Sequence, residues 1–180
     1  MRLVDVPVAQ RDDPRAQVYI VDHLAPGTVI DRRIEVSNTS ASRVHVVLYS
    51  AAATIAHGSF LGSVGHTPDE LSTWTSIRPA TLAVPAVGNA TATVTIAVPR
   101  DAAPGERYGV VWAEARSTPT GGVGITQVNR VGIRLYLSVG PGGPPASNFV
   151  IESLIAERAQ NGRPTVLAAV HTTPEGARST

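Results

Sequence analysis

Short β-branched runs broken by turn residues, about every ten to fifteen positions, constrain this chain more than any other feature of it. Ile30 to Asn38 alternates, with Ile34 and Val36 on one face and Arg33 and Glu35 on the other. Arg43 to Ser50 follows, with Val44, Val46 and Leu48 opposed to His45, Val47 and Tyr49, and Asn38 to Ser42 reads as a polar hairpin loop between the two runs. Ala92, Val94, Ile96 and Val98 alternate with threonines across Ala90 to Val98. Tyr108 to Arg116 and Gly124 to Val139 complete the strong strands, the latter expected to bend or bulge at Gly132. No stretch of about 18 residues keeps a 3.6-residue apolar period. The pattern predicts an all-β fold, an antiparallel sandwich of immunoglobulin-like size.

At 180 residues and 43% hydrophobic content the chain is long enough for one well-buried domain, with too little left for a second complete one. A net charge of +1 gives a nucleic-acid surface no support, and nucleic acid is not expected as a partner. The absence of cysteine removes disulfides, thiol catalysis and cysteine-based zinc sites together. No apolar run is long enough for a membrane span. Asp5 and Pro7 interrupt the start, Met1 to Pro7, where a signal peptide would need an apolar core. Two expectations follow: a cytoplasmic protein, or an exported one whose leader lay upstream.

Residues 1–139 are expected to form the sandwich, and 140–148, rich in Gly and Pro, a linker. Residues 149–180 read as the opening of an incomplete second β domain: strands at Phe149 to Glu157 and Pro164 to Val170, a turn at Asn161-Gly162, and a frayed tail. Phe149, Ile151 and Ile155 make an apolar face at period two. Inside the sandwich, Ala53 to Ala80 is the longest expected irregular connection, read equally as a functional segment or as an insertion that covers a sheet edge. Thr67-Pro68-Asp69-Glu70 has the form of a capping box, with Thr67 as N-cap and Glu70 at N3, predicting one helical turn through Leu71 to Thr73. Tyr108, opening a strand after Pro104-Gly105, fits a tyrosine corner.

Several segments together resemble the peptidoglycan-binding domain of WxL-interacting proteins. They are Tyr19-Ile20-Val21, Pro26-Gly27, Ile34 to Asn38, Ala52-Ala53-Thr54, Gly58, Leu71 to Trp74, Val84-Pro85-Ala86 and Pro99 to Gly109, spread over residues 15–140. The resemblance, with actinobacterial relatives, implies an exported binding module at the cell surface or in the wall. Its ligand would be peptidoglycan or another wall glycan, with no enzyme activity and no cofactor.

Catalytic patterns are missing from the residues themselves. Gly58-Ser59-Phe60-Leu61-Gly62 has its serine one position early for a nucleophile elbow, and Gly140 to Gly143 lacks the Lys and Ser/Thr of a phosphate loop. Asp22-His23 has no assignable serine, so no catalytic residue is named. His57, His66, Asp69 and Glu70 share one loop, yet the gap between the histidines matches no standard zinc spacing, and no metal is assigned. Glycan binding needs an aromatic platform and planar polar groups. With aromatics at only 4%, Trp74 in its polar surroundings stands out, and Arg78 beside it suits a carboxylate. Binding and packing remain equally open for Trp74, whereas Trp112, mid-strand, reads as core, and Tyr49 and Tyr136 as packing. The candidate ligand-binding set is therefore Trp74, Arg78, His57, His66, Asp69 and Glu70. The alternative is a protein-interaction or scaffold module that pairs strands with a surface protein.

Overall fold

A computed structural model describes residues 1–7, 12–117, 125–140, 149–158 and 164–172. The chain divides into two compact units, Met1–Gly143 and Pro144–Thr180. In order, the first contains β1 (Arg2–Leu3), β2 (Ile20–Leu24), β3 (Val29–Asn38), β4 (Val44–Ala56), β5 (Ser59–Gly62), α1 (Glu70–Trp74), β6 (Thr75–Arg78), β7 (Thr81–Val84), β8 (Gly88–Ala97), β9 (Gly105–Ser117) and β10 (Gln127–Val139). The second contains β11 (Phe149–Arg158) and β12 (Pro164–Thr172).

Unit one is an immunoglobulin-like sandwich. One sheet runs β1-β3-β8-β6; the other runs β2-β10-β9-β4-β5, with β7 also on β4. All ladders are antiparallel except β2 on β10, which is parallel over Leu135 to Val139. The expected alternation fills the interior. Ile34, Val36, Ala92, Val94 and Ile96 from one sheet meet Val46, Leu48, Val111, Ala113, Ile133 and Leu135 from the other in one buried cluster. Burial of apolar surface at about 25 cal/mol per Å² drives this closure.

The structure corrects several local expectations. Asn38 to Ser42 is not a hairpin loop, because β3 and β4 belong to different sheets. The Asn38 amide organises the crossover instead, donating to the carbonyls of Ser42 and Pro85 at 2.8 Å each. The connection after Ala53 is largely regular: β4 runs on to Ala56, turns at His57-Gly58 and returns as β5. The helical turn is present, but Asp69 is its N-cap and Ser72 its N3 residue, each side chain bonding the other's backbone N–H at 2.7 Å. β10 has no bulge, since Gly132 pairs Trp112 in unbroken register.

In unit two, β11 and β12 form an antiparallel hairpin with a register shift between Ile151 and Ser153. The extra residue sends Ile155 to the face opposite Ile151 and puts Leu154 in its place, so the expected period-two face is broken. Ile151, Leu154, Ile155 and Val166 are exposed. The expected Asn161-Gly162 turn and the tail beyond Thr172 lie outside the described residues.

Candidate functional site

The expected site lies between β4 and β6, and its six residues do not converge. His57 is exposed at the tip of the β4–β5 turn, at φ 50°. His66 stacks on Tyr49, ring centroids 4.1 Å apart. Asp69 uses its carboxylate to cap α1. Glu70 accepts from Arg107 Nε at 2.8 Å. Arg78 is exposed at the end of β6, opposite Thr93. Among the described residues, no three His, Asp or Glu side chains gather as a metal site would require.

Trp74 is half-buried against the core, and the Arg107 guanidinium sits 4.8 Å from its ring centroid. One indole face is therefore taken by an intramolecular cation–π contact. Arg107 was not singled out from sequence; it precedes a strand tyrosine in a turn-rich stretch and carries no motif. Of the Asp22-His23 pair, only Asp22 is committed elsewhere; among the described residues the buried His23 ring nitrogens have no hydrogen-bond partner. Asp22 accepts from Arg32 at 2.6 and 2.8 Å, while burial pushes its carboxyl above the ordinary value against the pull of that guanidinium.

The outer face of the six-stranded sheet holds what the sequence reading missed. Trp112 is not in the main core. It lies on this outer face in a second cluster with Tyr49, Ala51, Val110 and Phe60, and its indole N–H donates to the Ser63 carbonyl at 2.9 Å. Tyr108 makes no corner to backbone; its hydroxyl donates to the Glu106 carboxylate, beside Tyr136. The Arg134 guanidinium lies between the rings of Tyr19 and Phe60, at 5.0 and 4.9 Å.

Glu114 is the buried anion of this face. It accepts from Tyr49 Oη at 2.9 Å, Arg116 Nε at 2.6 Å and Arg130 Nε at 2.5 Å. Hydrogen bonds from Arg130 and Arg116 hold its carboxyl at about 2, outweighing the effect of burial. Glu114 is thus a fixed negative charge shared by two arginines.

The same strands end in an open edge. β2 covers β10 only from Leu135 onward. From Gln127 to Gly132, no strand among the described residues pairs with the side of β10 away from β9. Val128 and Val131 are 38% and 51% exposed there. Beside this stretch, between the sheets, a half-open cleft of about 160 Å³ is lined mostly by apolar side chains, among them Val36, Val46, Val84, Ala113 and Val131, with Ser37, Asn38, Asn129 and Arg130 as polar members. Bare backbone next to an apolar slot is a template for another chain. The open part of β3 differs, because Asp31, Arg32 and Arg33 place charges along it.

The chain matches no protein-family profile. It also matches no curated protein. Among solved structures it is similar to the E. coli chaperone DraB, at TM-score 0.45 and 10% identity over 79% of this chain and 64% of that one. A family 123 glycoside hydrolase from Clostridium perfringens gives TM-score 0.44 and 16% identity over 65% of this chain and 22% of the hydrolase. SSP-19, an MSP-domain-like protein of Caenorhabditis elegans, gives 0.40 and 14% over 69% and 95%. Likenesses at this level carry no statement about function.

Proposed function

We propose that the sandwich is a non-enzymatic protein-interaction module that accepts an extended segment of a partner along the open edge of β10. The observation that carries this reading is the bare Gln127–Gly132 stretch beside the apolar cleft. Main-chain hydrogen bonds to the free edge supply affinity, and alternate side chains supply selectivity. Seating one branched aliphatic side chain in the cleft contributes about 1.5–3 kcal/mol.

The test is a synthetic nonapeptide of alternating Leu and Gln, titrated against the whole chain. Val131→Lys puts a charge at the cleft and blunts the edge, so the peptide is expected to lose binding while the melting temperature holds, Val131 being half exposed. Unchanged binding in that variant contradicts the reading.

A second reading follows the resemblance to wall-binding domains and places the ligand at Trp74 and Arg78, in an extracytoplasmic protein. The exposure of Arg78 and the partial exposure of Trp74 support it. It predicts that Trp74→Ala abolishes sedimentation with purified peptidoglycan, whereas strand acceptance at β10 is indifferent to that substitution.

A further inference from the structure

The outward face beside the open edge carries more positive than negative charge. Arg116, Arg130 and Arg134 project there, and Glu114 is the one carboxylate that the described residues bring to them. Among the described residues no carboxylate pairs with Arg134; its partners there are the Tyr136 hydroxyl at 3.4 Å and the rings of Tyr19 and Phe60. Arg116 bonds Glu114 through Nε and remains 66% exposed. On the inward side Val131 is apolar, as is most of the cleft lining, whose polar members are Ser37, Asn38, Asn129 and Arg130. A strand laid along Gln127–Gly132 would present alternate side chains to these two environments.

We infer that the segment accepted at β10 is acidic at its outward positions and carries a branched aliphatic residue at the inward position facing Val131. This rests on the strand-acceptor reading. The acidic side chain would sit across from Arg130, on the face where the arginines exceed the carboxylate, and the aliphatic one would fill the cleft. A segment with basic outward residues meets like charge on that face, so the same surface also selects against it.

The experiment titrates the whole chain with three nonapeptides, each Leu at alternate positions and Glu, Gln or Arg between them. The Glu peptide is expected to bind about tenfold tighter than the Gln peptide, as a charge-assisted hydrogen bond would give. The Arg peptide should bind most weakly. The Glu-to-Gln ratio should shrink as salt is raised to about 0.5 M, where the screening length falls to a few Å. Arg116→Gln leaves Glu114 paired with Arg130 and Tyr49; it should reduce the ratio without weakening the Gln peptide. Equal binding of Glu and Gln peptides, both abolished by Val131→Lys, overturns the acidic preference and keeps strand acceptance. Failure of all three peptides to bind overturns both. Hyaluronate bound as tightly as the Glu peptide, with no slowing of amide exchange at 127–132, assigns the charge to an acidic polysaccharide and overturns the inference.

Discussion

Gly132 on β10 lies under the indole of Trp112 on β9: a Cβ added at Gly132 would stand 2.8 Å from Trp112 Cζ3 and 2.9 Å from Val110 Cγ2. The glycine makes room for a large ring to lie on the outer face of the sheet, next to the open edge. Gly132→Ala therefore forces the indole aside, and urea denaturation should show a loss of about 1–3 kcal/mol. Trp112→Leu should be less sensitive to the same glycine substitution. Additive losses in the double variant would show that the two residues do not share this contact.

Glu114 sets a pH dependence. Its folded pKa, about 2, lies below the ordinary 4.5, so the stability it contributes is complete above pH 4.5 and lost as pH falls from 4.5 towards 2. Melting temperature followed across that window should fall, and Glu114→Gln should flatten that part of the profile. An unchanged slope in the variant would remove Glu114 as its source.

Arg107 and Trp74 should be energetically coupled. A double-mutant cycle with Arg107→Gln and Trp74→Leu is expected to give about 0.5–1 kcal/mol of interaction, the range of a partly exposed cation–π pair. Zero coupling would mean that the guanidinium leaves the ring in solution and frees that indole face.

Capping of α1 is assigned to Asp69. Asp69→Ala should cost about 1 kcal/mol by chemical denaturation, while Thr67→Ala, at the position the sequence pattern suggested, should change stability little. Equal losses at both positions would return the cap to Thr67.

Alternation made the sandwich legible, because burial selects one face of each strand: Ile34 and Val36, Val46 and Leu48, and Val94 and Ile96 all enter the core as their spacing predicts. Sheet membership was not legible. A short polar loop serves a hairpin or a crossover equally well, and only the long-range partners of β3 and β4 decide between them. Trp112 was misplaced for a related reason. Val110, Val111, Trp112 and Ala113 are apolar in succession, so period two gives no sign of which face the ring takes. The open edge left no local mark, since a strand's sequence does not record whether a neighbour covers it. The alternation of Val128, Arg130, Gly132 and Arg134 with Val131 and Ile133 marks which face each side chain takes, and not whether the edge is covered.

Backbone amide exchange across β10, measured on the whole chain with and without the Leu/Gln nonapeptide, tests the account most directly. Strand acceptance predicts that bound peptide slows exchange at alternate residues between Gln127 and Gly132 and leaves the already paired stretch from Leu135 to Val139 unchanged. Protection confined to the α1–β6 region around Trp74 and Arg78, with no change at 127–132, would contradict it.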